Sequence, residues 1–116
     1  MTLLPPKLRT HKNYSHILKN TGIGSNSKKK TPKQLERHVK GVANHRRIAI
    51  LLLVSHEQGI TLDGIAQSLD CNFKTISEHT LRLVRAGLIE KKYIKNNVAH
   101  TLTPYGKSFV RFLNSF

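Results

Sequence analysis

Acids, sulfur and large aromatics are scarce in this sequence of 116 residues. It has one cysteine, one methionine, no tryptophan and only six Asp and Glu together. The single Cys71 excludes an internal disulfide and suits a reducing compartment. No apolar run approaches the roughly 18 residues that a membrane-spanning helix needs. The longest, Ile48–Val54, reads as buried helix. Pro5 and Pro6 interrupt the start before a secretory apolar centre can form, and they oppose the amphipathic helix of an organelle transit peptide. The expected location is therefore cytoplasmic. There is no Gly-rich phosphate loop, no Ser/His/Asp set in a usable context and few carboxylates, so the composition points away from an enzyme.

What the chain does have is positive charge: twenty Lys and Arg against six acids, a net +14. That imbalance points to a polyanionic partner, above all nucleic acid, because each cation set on a phosphate releases condensed counterions. The charge is uneven. Residues 1–30 hold Lys7, Arg9, Lys12, Lys19, Lys28, Lys29 and Lys30 without one acid, and Asn20–Lys30 reads as a Gly/Ser/Asn linker ending in a lysine run. The expectation is a flexible basic tail over 1–30, with Lys28, Lys29 and Lys30 on phosphates. Tyr14–Leu18 is the one stretch of it with apolar content to dock. A folded domain is expected over 31–116.

Order begins at Thr31, which with Pro32 and Gln34 forms a capping-box signature for a helix over Pro32–Val42. Leu35, Val39 and Val42 make its stripe, and Gly41 is expected to weaken or stop it. Asn44 caps a very apolar helix over His45–Gln58, ended by Gly59. Ile60–Leu62 is β-branched and reads as a brief strand or extended link. A two-turn helix burying Leu62, Ile65, Ala66 and Leu69 follows, then a tight turn at Asp70–Asn72. Asn72 caps a helix over Phe73–Ala86, and Gly87 supplies its left-handed end. Leu88–Ile94 and Val98–Thr103 flank Lys95–Asn97 as a hairpin. Thr103 caps a last helix with Tyr105, Phe109, Phe112 and Phe116 on one stripe, widened by Val110 and Leu113.

This order is mainly α with a small β-hairpin wing: a winged helix-turn-helix, α-α-β-α-α-β-β-α. Two short helices joined by a tight turn hold the second at an angle suited to the major groove. Its inner face is Ile76, Thr80 and Leu83; Lys74, Glu78, Arg82 and Arg85 lie opposite, with Phe73, Thr75 and Ser77 near the first turn. Arg and Lys suit guanine edges, Ser and Thr suit bases or phosphates, and Glu78 suits the cytosine amine. Lys92, Lys95, Asn96 and Asn97 of the hairpin would lie on the flanking backbone or minor groove. Charges outside a helix are by default only a solvated face; the constellation within a chain of charge +14 is what carries the reading.

From Asn44 to Leu113, about two thirds of the chain, the sequence resembles the ArsR-type winged-helix repressors, with a MarR-like ending. "NHRRIAILLL" is similar to the opening of the ArsR core helix, "ITLDGIAQSLDCNFKTISEHTLRLVRAGLIEKK" to the helix-turn-helix and wing entry, and "LTPYGKSF" to the start of the closing helix in MarR-type chains. The resemblance implies recognition-helix positions for Thr75, Ser77, Glu78 and His79 and a wing over Lys91–Val98. Thr61, where with Leu62 the first short helix begins, and Asn72, which caps the second, complete the candidate DNA-contacting set. Thr80 departs from the pattern, standing where an apolar residue is usual. Leu81 and Val84 stand where polar ones are usual, which implies a second apolar contact for this helix.

Neither metal site of the resembled family can be assembled. The stretch before the recognition helix has no Cys, the closing helix has no Asp, Glu, His or Cys, and the seven His form no i, i+4 pair. No metal and no cofactor is expected. Cys71 reads as a small, partly buried turn residue ahead of a redox switch.

The aromatic stripe needs a cover, either the first helix or a second copy. A C2 homodimer through Leu35, Val39, Tyr105, Phe109, Phe112, Leu113 and Phe116 is the expectation favoured, placing two recognition helices on a pseudo-palindrome. The function expected is a sequence-specific regulator, a repressor, on double-stranded DNA. An architectural or RNA-associated module using the basic tail, and a protein-interaction winged helix using Leu81 and Val84, are the alternatives.

Overall fold

The computed structural model describes residues 29–116, so the tail before Lys29, including Lys28 and Tyr14–Leu18, lies outside the described residues. The chain divides after Glu36, and Arg37–Phe116 is one compact unit. Helix α1 (Pro32–Val42) opens as its sequence predicts: the Gln34 amide donates to Thr31 Oγ1 at 3.3 Å, and the Thr31 amide to Gln34 Oε1 at 2.9 Å. It runs through Gly41 to Val42 without a break.

Helix α2 (His45–His56) is the centre of the core. Asn44 Oδ1 accepts from the amides of Arg46 and Arg47 at 2.9 and 3.2 Å, and Ile50, Leu51 and Val54 have no exposed surface. Burying each such side chain contributes about 1.5–3 kcal/mol. The helix stops at His56, two residues before the expected end at Gln58, because the chain is drawn into pairing beyond it. The Gly59 amide donates to the His100 carbonyl at 2.8 Å, and the His100 amide to the Ile60 carbonyl at 3.0 Å. The expected strand Ile60–Leu62 is thus a one-residue bridge at Ile60. Leu62 starts α3 (Leu62–Ser68), capped by Thr61.

Asp70, at φ 49°, turns the chain out of α3, and Asn72 Oδ1 accepts from the amides of Lys74 and Thr75 to open α4 (Phe73–Arg85). The far end of α4 is a Schellman motif. The Gly87 amide donates to the Val84 carbonyl and the Leu88 amide to the Leu83 carbonyl, each at 3.0 Å, with Gly87 at φ 76°. Buried Leu83 and Leu88 supply the apolar contact that such ends use.

Strands β1 (Ile89–Ile94) and β2 (Asn97–Leu102) pair antiparallel, Ile89 opposite Leu102 and Ile94 opposite Asn97. The tip is therefore two residues, Lys95 and Asn96, instead of three, with Lys95 at φ 55°. Thr103, expected in the second strand, leaves the ladder because its hydroxyl is used elsewhere. It donates to the Gly87 carbonyl at 2.6 Å and accepts from the Gly106 amide at 3.0 Å, capping α5 (Pro104–Asn114).

The core joins α2 to Ile65 of α3, Ile76 and Leu83 of α4, Ile89 and Leu102 of the hairpin and Val110 of α5. Thr80 lies among them at 1% exposure, and its hydroxyl has no hydrogen-bond partner among the described residues. Leaving such a group unmatched costs roughly 1–3 kcal/mol, and valine has the same shape without it. Thr80→Val should raise the unfolding free energy by about 1 kcal/mol, read as a higher urea midpoint at unchanged slope.

Candidate nucleic-acid interface

Helix α4 divides cleanly by face. Ile76, Thr80 and Leu83 are buried, Thr75, Ser77 and His79 are half-buried flanks, and Phe73, Lys74, Glu78, Leu81, Arg82 and Arg85 are exposed. At about 100° per residue, Lys74, Glu78 and Arg85 stand opposite the buried stripe. The outward set expected from the sequence is thus brought together on one helix face. Val84 differs from expectation: it is partly buried and packed on the protein's own core, so only Leu81 of that apolar pair stays exposed.

Two of the candidate polar residues already have structural work. Thr61 Oγ1 accepts from the Gly64 amide at 3.1 Å, and Asn72 Oδ1 caps α4. The exposed Asn72 stands at the turn where the two short helices meet, whereas the half-buried Thr61 stands at the opposite end of α3. On the hairpin, Lys92, Lys95, Asn96 and Asn97 are all exposed, as are Tyr93 and Ile94 beside them. Lys29 is exposed and Lys30 half-buried.

Contacts made across the chain add residues that sequence spacing did not single out. Arg47 donates to His79 Nδ1 at 3.2 Å, joining the start of α2 to the middle of α4. Burial, then the positive charges of Arg47, Arg46 and Arg82, hold the His79 pKa below its ordinary 6.5, against a smaller opposing effect of Glu78. Arg46 donates to Cys71 Sγ, and the thiol in turn donates to the Leu69 carbonyl at 3.3 Å, so Cys71 packs inside the turn as a bonded, partly buried residue. His38 is buried and donates through Nδ1 to the Ala86 carbonyl, with its ring stacked on Tyr105 at 5.0 Å. The signal for His38 was present: Leu35, His38 and Val42 fall at helical spacing.

The aromatic stripe on α5 stays largely open. Tyr105, Phe112 and Phe116 are exposed, Phe112 and Phe116 meet edge to face at 5.1 Å, and Phe109 and Leu113 are partly buried against the core. Leu35 and Val39 of α1 are exposed as well. Val39, Val42, Ile48, Phe109, Phe112 and Leu113 border an apolar groove of about 520 Å³. Among the described residues no three His, Cys, Asp or Glu side chains are grouped as a metal site requires, and no helix is long and apolar enough to cross a membrane.

Two short helices about a tight turn, a core helix beneath them and a two-stranded wing beyond make this a winged helix-turn-helix, the fold that the element order predicts. No family model and no curated protein sequence matches the chain. Its likeness is to solved structures. HlyU from Vibrio vulnificus CMCP6, a transcriptional regulator, is 23% identical over 89% of this chain and 96% of its own, with a TM-score of 0.64. A homodimeric winged helix-turn-helix DNA-binding domain from Mycobacterium bovis, a possible ArsR-family transcriptional regulator, is 23% identical over 72% of this chain and 80% of its own, at 0.62. MarR is 18% identical over 90% of this chain and 72% of its own, at 0.61. The resemblance in sequence to ArsR- and MarR-type chains thus reappears as a likeness of fold.

The histidines give the fold a pH dependence of defined sign. His100 is buried and donates through Nδ1 to the Ile60 carbonyl at 2.9 Å. Burial lowers its pKa from 6.5, with Lys91 adding to that, and outweighs the opposing effect of the Ile60 bond. His79 is shifted the same way. Between the lowered folded pKa and 6.5 the unfolded chain binds more protons, so stability present above pH 6.5 is lost as pH falls through that window. Melting followed by circular dichroism should show Tm falling between about pH 7 and 5, with the fall reduced in His100→Gln.

Proposed function

We propose that this chain is a sequence-specific double-stranded DNA-binding transcription regulator, acting as a homodimer and without enzymatic activity. The observation that carries the reading is the outward face of α4. Lys74, Glu78 and Arg82 are exposed on a helix whose opposite side is locked in the core, at the position where a helix-turn-helix presents its second helix. In this reading Phe73, Lys74, Thr75, Ser77 and Glu78 enter the major groove, His79 and Arg82 border it, Asn72 meets the backbone at the turn and Thr61 meets it at the start of α3. Lys92, Lys95, Asn96 and Asn97 set the wing on the flanking strand, and Lys28, Lys29 and Lys30 add phosphate contacts. Repression is the outcome proposed, since a dimer seated on its site excludes other proteins from the same duplex.

The dimer reading is supported by the exposed apolar face of α1 and α5. Val39, Phe112 and Phe116 are 52%, 56% and 92% exposed, which is costly for a lone domain in water. The Mycobacterium bovis domain of the same fold is a homodimer. Two-fold pairing would set the recognition helices about 34–36 Å apart, one turn of DNA.

Selection of bound oligonucleotides from a random pool should enrich an inverted repeat. On the enriched site, Lys74→Ala, Ser77→Ala and Glu78→Ala should each reduce discrimination against single-base changes by roughly 1–3 kcal/mol. A pool that stays unenriched, or a preference for structured RNA over duplex in direct competition, would defeat the proposal. Sedimentation at micromolar concentration should give a dimer that Phe112→Asp converts to monomer with its circular dichroism spectrum intact. A monomeric wild-type protein would remove the two-fold arrangement.

A further inference from the structure

Gly41 of α1 lies against Ala86 at the end of α4. A Cβ built at Gly41 would stand 2.2 Å from the Ala86 Cβ, so only a hydrogen lets the two helices come this close. The approach gathers their cations. Arg37 and Lys40 of α1, Arg82 and Arg85 of α4 and Arg47 of α2 line one open groove of about 530 Å³, and among the described residues Glu78 is the carboxylate in its lining. Leu81 and Ala86 form part of its floor. Arg47 is half-buried there; one guanidinium nitrogen is bonded to His79, while its Nε is buried without a hydrogen-bond partner among the described residues.

We propose that this groove between α1, the start of α2 and the second half of α4 is a phosphate-binding site, with Arg47, Arg82 and Arg85 holding the group and Arg37 and Lys40 at its rim. Guanidinium groups present paired N–H donors in a plane, which matches two oxygens of one phosphate. Like charges collected around one opening repel when it is empty and are relieved by an anion. The like charges add to burial in the protein as it stands: burial first and then Arg82 lower the Arg47 pKa, and burial first and then the neighbouring arginines lower that of His79. Arg82 and Glu78 belong both to the outward face of α4 and to the groove. Resting on the function proposed above, the phosphate is a backbone phosphate flanking the major-groove contact. A free phosphorylated molecule offers the same chemistry, and the test separates the two.

The experiment measures binding of the full chain to labelled duplexes, one carrying the selected site and one scrambled, across a range of KCl concentrations. Arg37→Gln and Arg85→Gln are the principal variants because both residues are exposed; Arg47→Gln is added where its melting curve is native-like. Each lost contact should weaken both duplexes alike and reduce the slope of log K against log salt by about 0.9. A parallel arm titrates tripolyphosphate and follows the Gly41 and Ala86 amides by NMR. In the wild type they should shift to saturation, and in Arg37→Gln/Arg85→Gln they should not. Unchanged salt slopes together with unmoved amides overturn the site. Unchanged slopes with amides that shift in the wild type only keep the site and assign it to a free phosphorylated molecule. If the wild type binds no duplex, the DNA reading falls and the tripolyphosphate arm alone decides the groove.

Discussion

Ile76, Thr80 and Leu83 sit on one side of α4 with almost no exposed surface, in the same core as Ile50, Leu51 and Val54 of α2. A helix has one rotational freedom about its axis, and burying that stripe removes it. Once the stripe is inside, Lys74, Glu78 and Arg85 must be outside. The two ends of α4 are fixed just as firmly, by the Asn72 cap at one and by the Gly87 and Leu88 amide bonds at the other. The register of the outward side chains is therefore set by apolar packing and backbone capping. Their own charges have no part in placing them, which leaves residue identity on that face open to be shaped by whatever it meets.

The same division explains what could be read from the sequence. Capping residues act on their own neighbours three positions away, so Thr31, Asn44, Asn72 and Thr103 were legible as helix starts, and Gly87 as a helix end. The buried stripe of α4 was legible from helical spacing alone. The end of α2 was not, because it depends on Gly59 and Ile60 pairing with His100, some forty residues later. The hairpin tip is one residue shorter than its sequence suggests for a related reason: Asn97 looks like a turn residue but pairs with Ile94, leaving Lys95 to take the positive φ. Side-chain links such as Arg47 to His79 and Arg46 to Cys71 join α2 to the helix-turn-helix and carry no local pattern. The outward polar face was thus visible in advance, whereas the basic groove, made by three helices at once, was not.

Charge and stability pull in opposite directions in this chain. Cations outnumber acids twenty to six, and α4 alone exposes Lys74, Arg82 and Arg85 against Glu78. Exposed charges of one sign cost little when spread in water but add up when crowded. Arg47 and His79 show such crowding: burial first and then neighbouring arginines lower the pKa of each. The core built on Ile50, Leu51 and Val54 of α2 carries that cost. Thr80, a buried hydroxyl without a partner among the described residues, is a second small cost borne by the same core.

Helix α1 ties the apolar and basic faces of the compact unit to each other. Within three turns it contributes Val39 to the apolar groove, Arg37 and Lys40 to the basic one, and between them His38, buried and bonded to the carbonyl of Ala86 at the end of α4. His38 stacks on Tyr105 of α5 as well, so one imidazole touches the end of α4 and the first turn of α5. In the proposed dimer, a second copy seated on Val39 and Phe112 would press on elements that hold α4 through that imidazole and through the Gly41–Ala86 contact. The spacing of the two recognition helices would then be fixed by packed side chains and backbone bonds without an intervening loop. Such rigidity suits recognition of two half-sites at one separation, because a flexible link would spread the pair over many spacings and weaken binding to each.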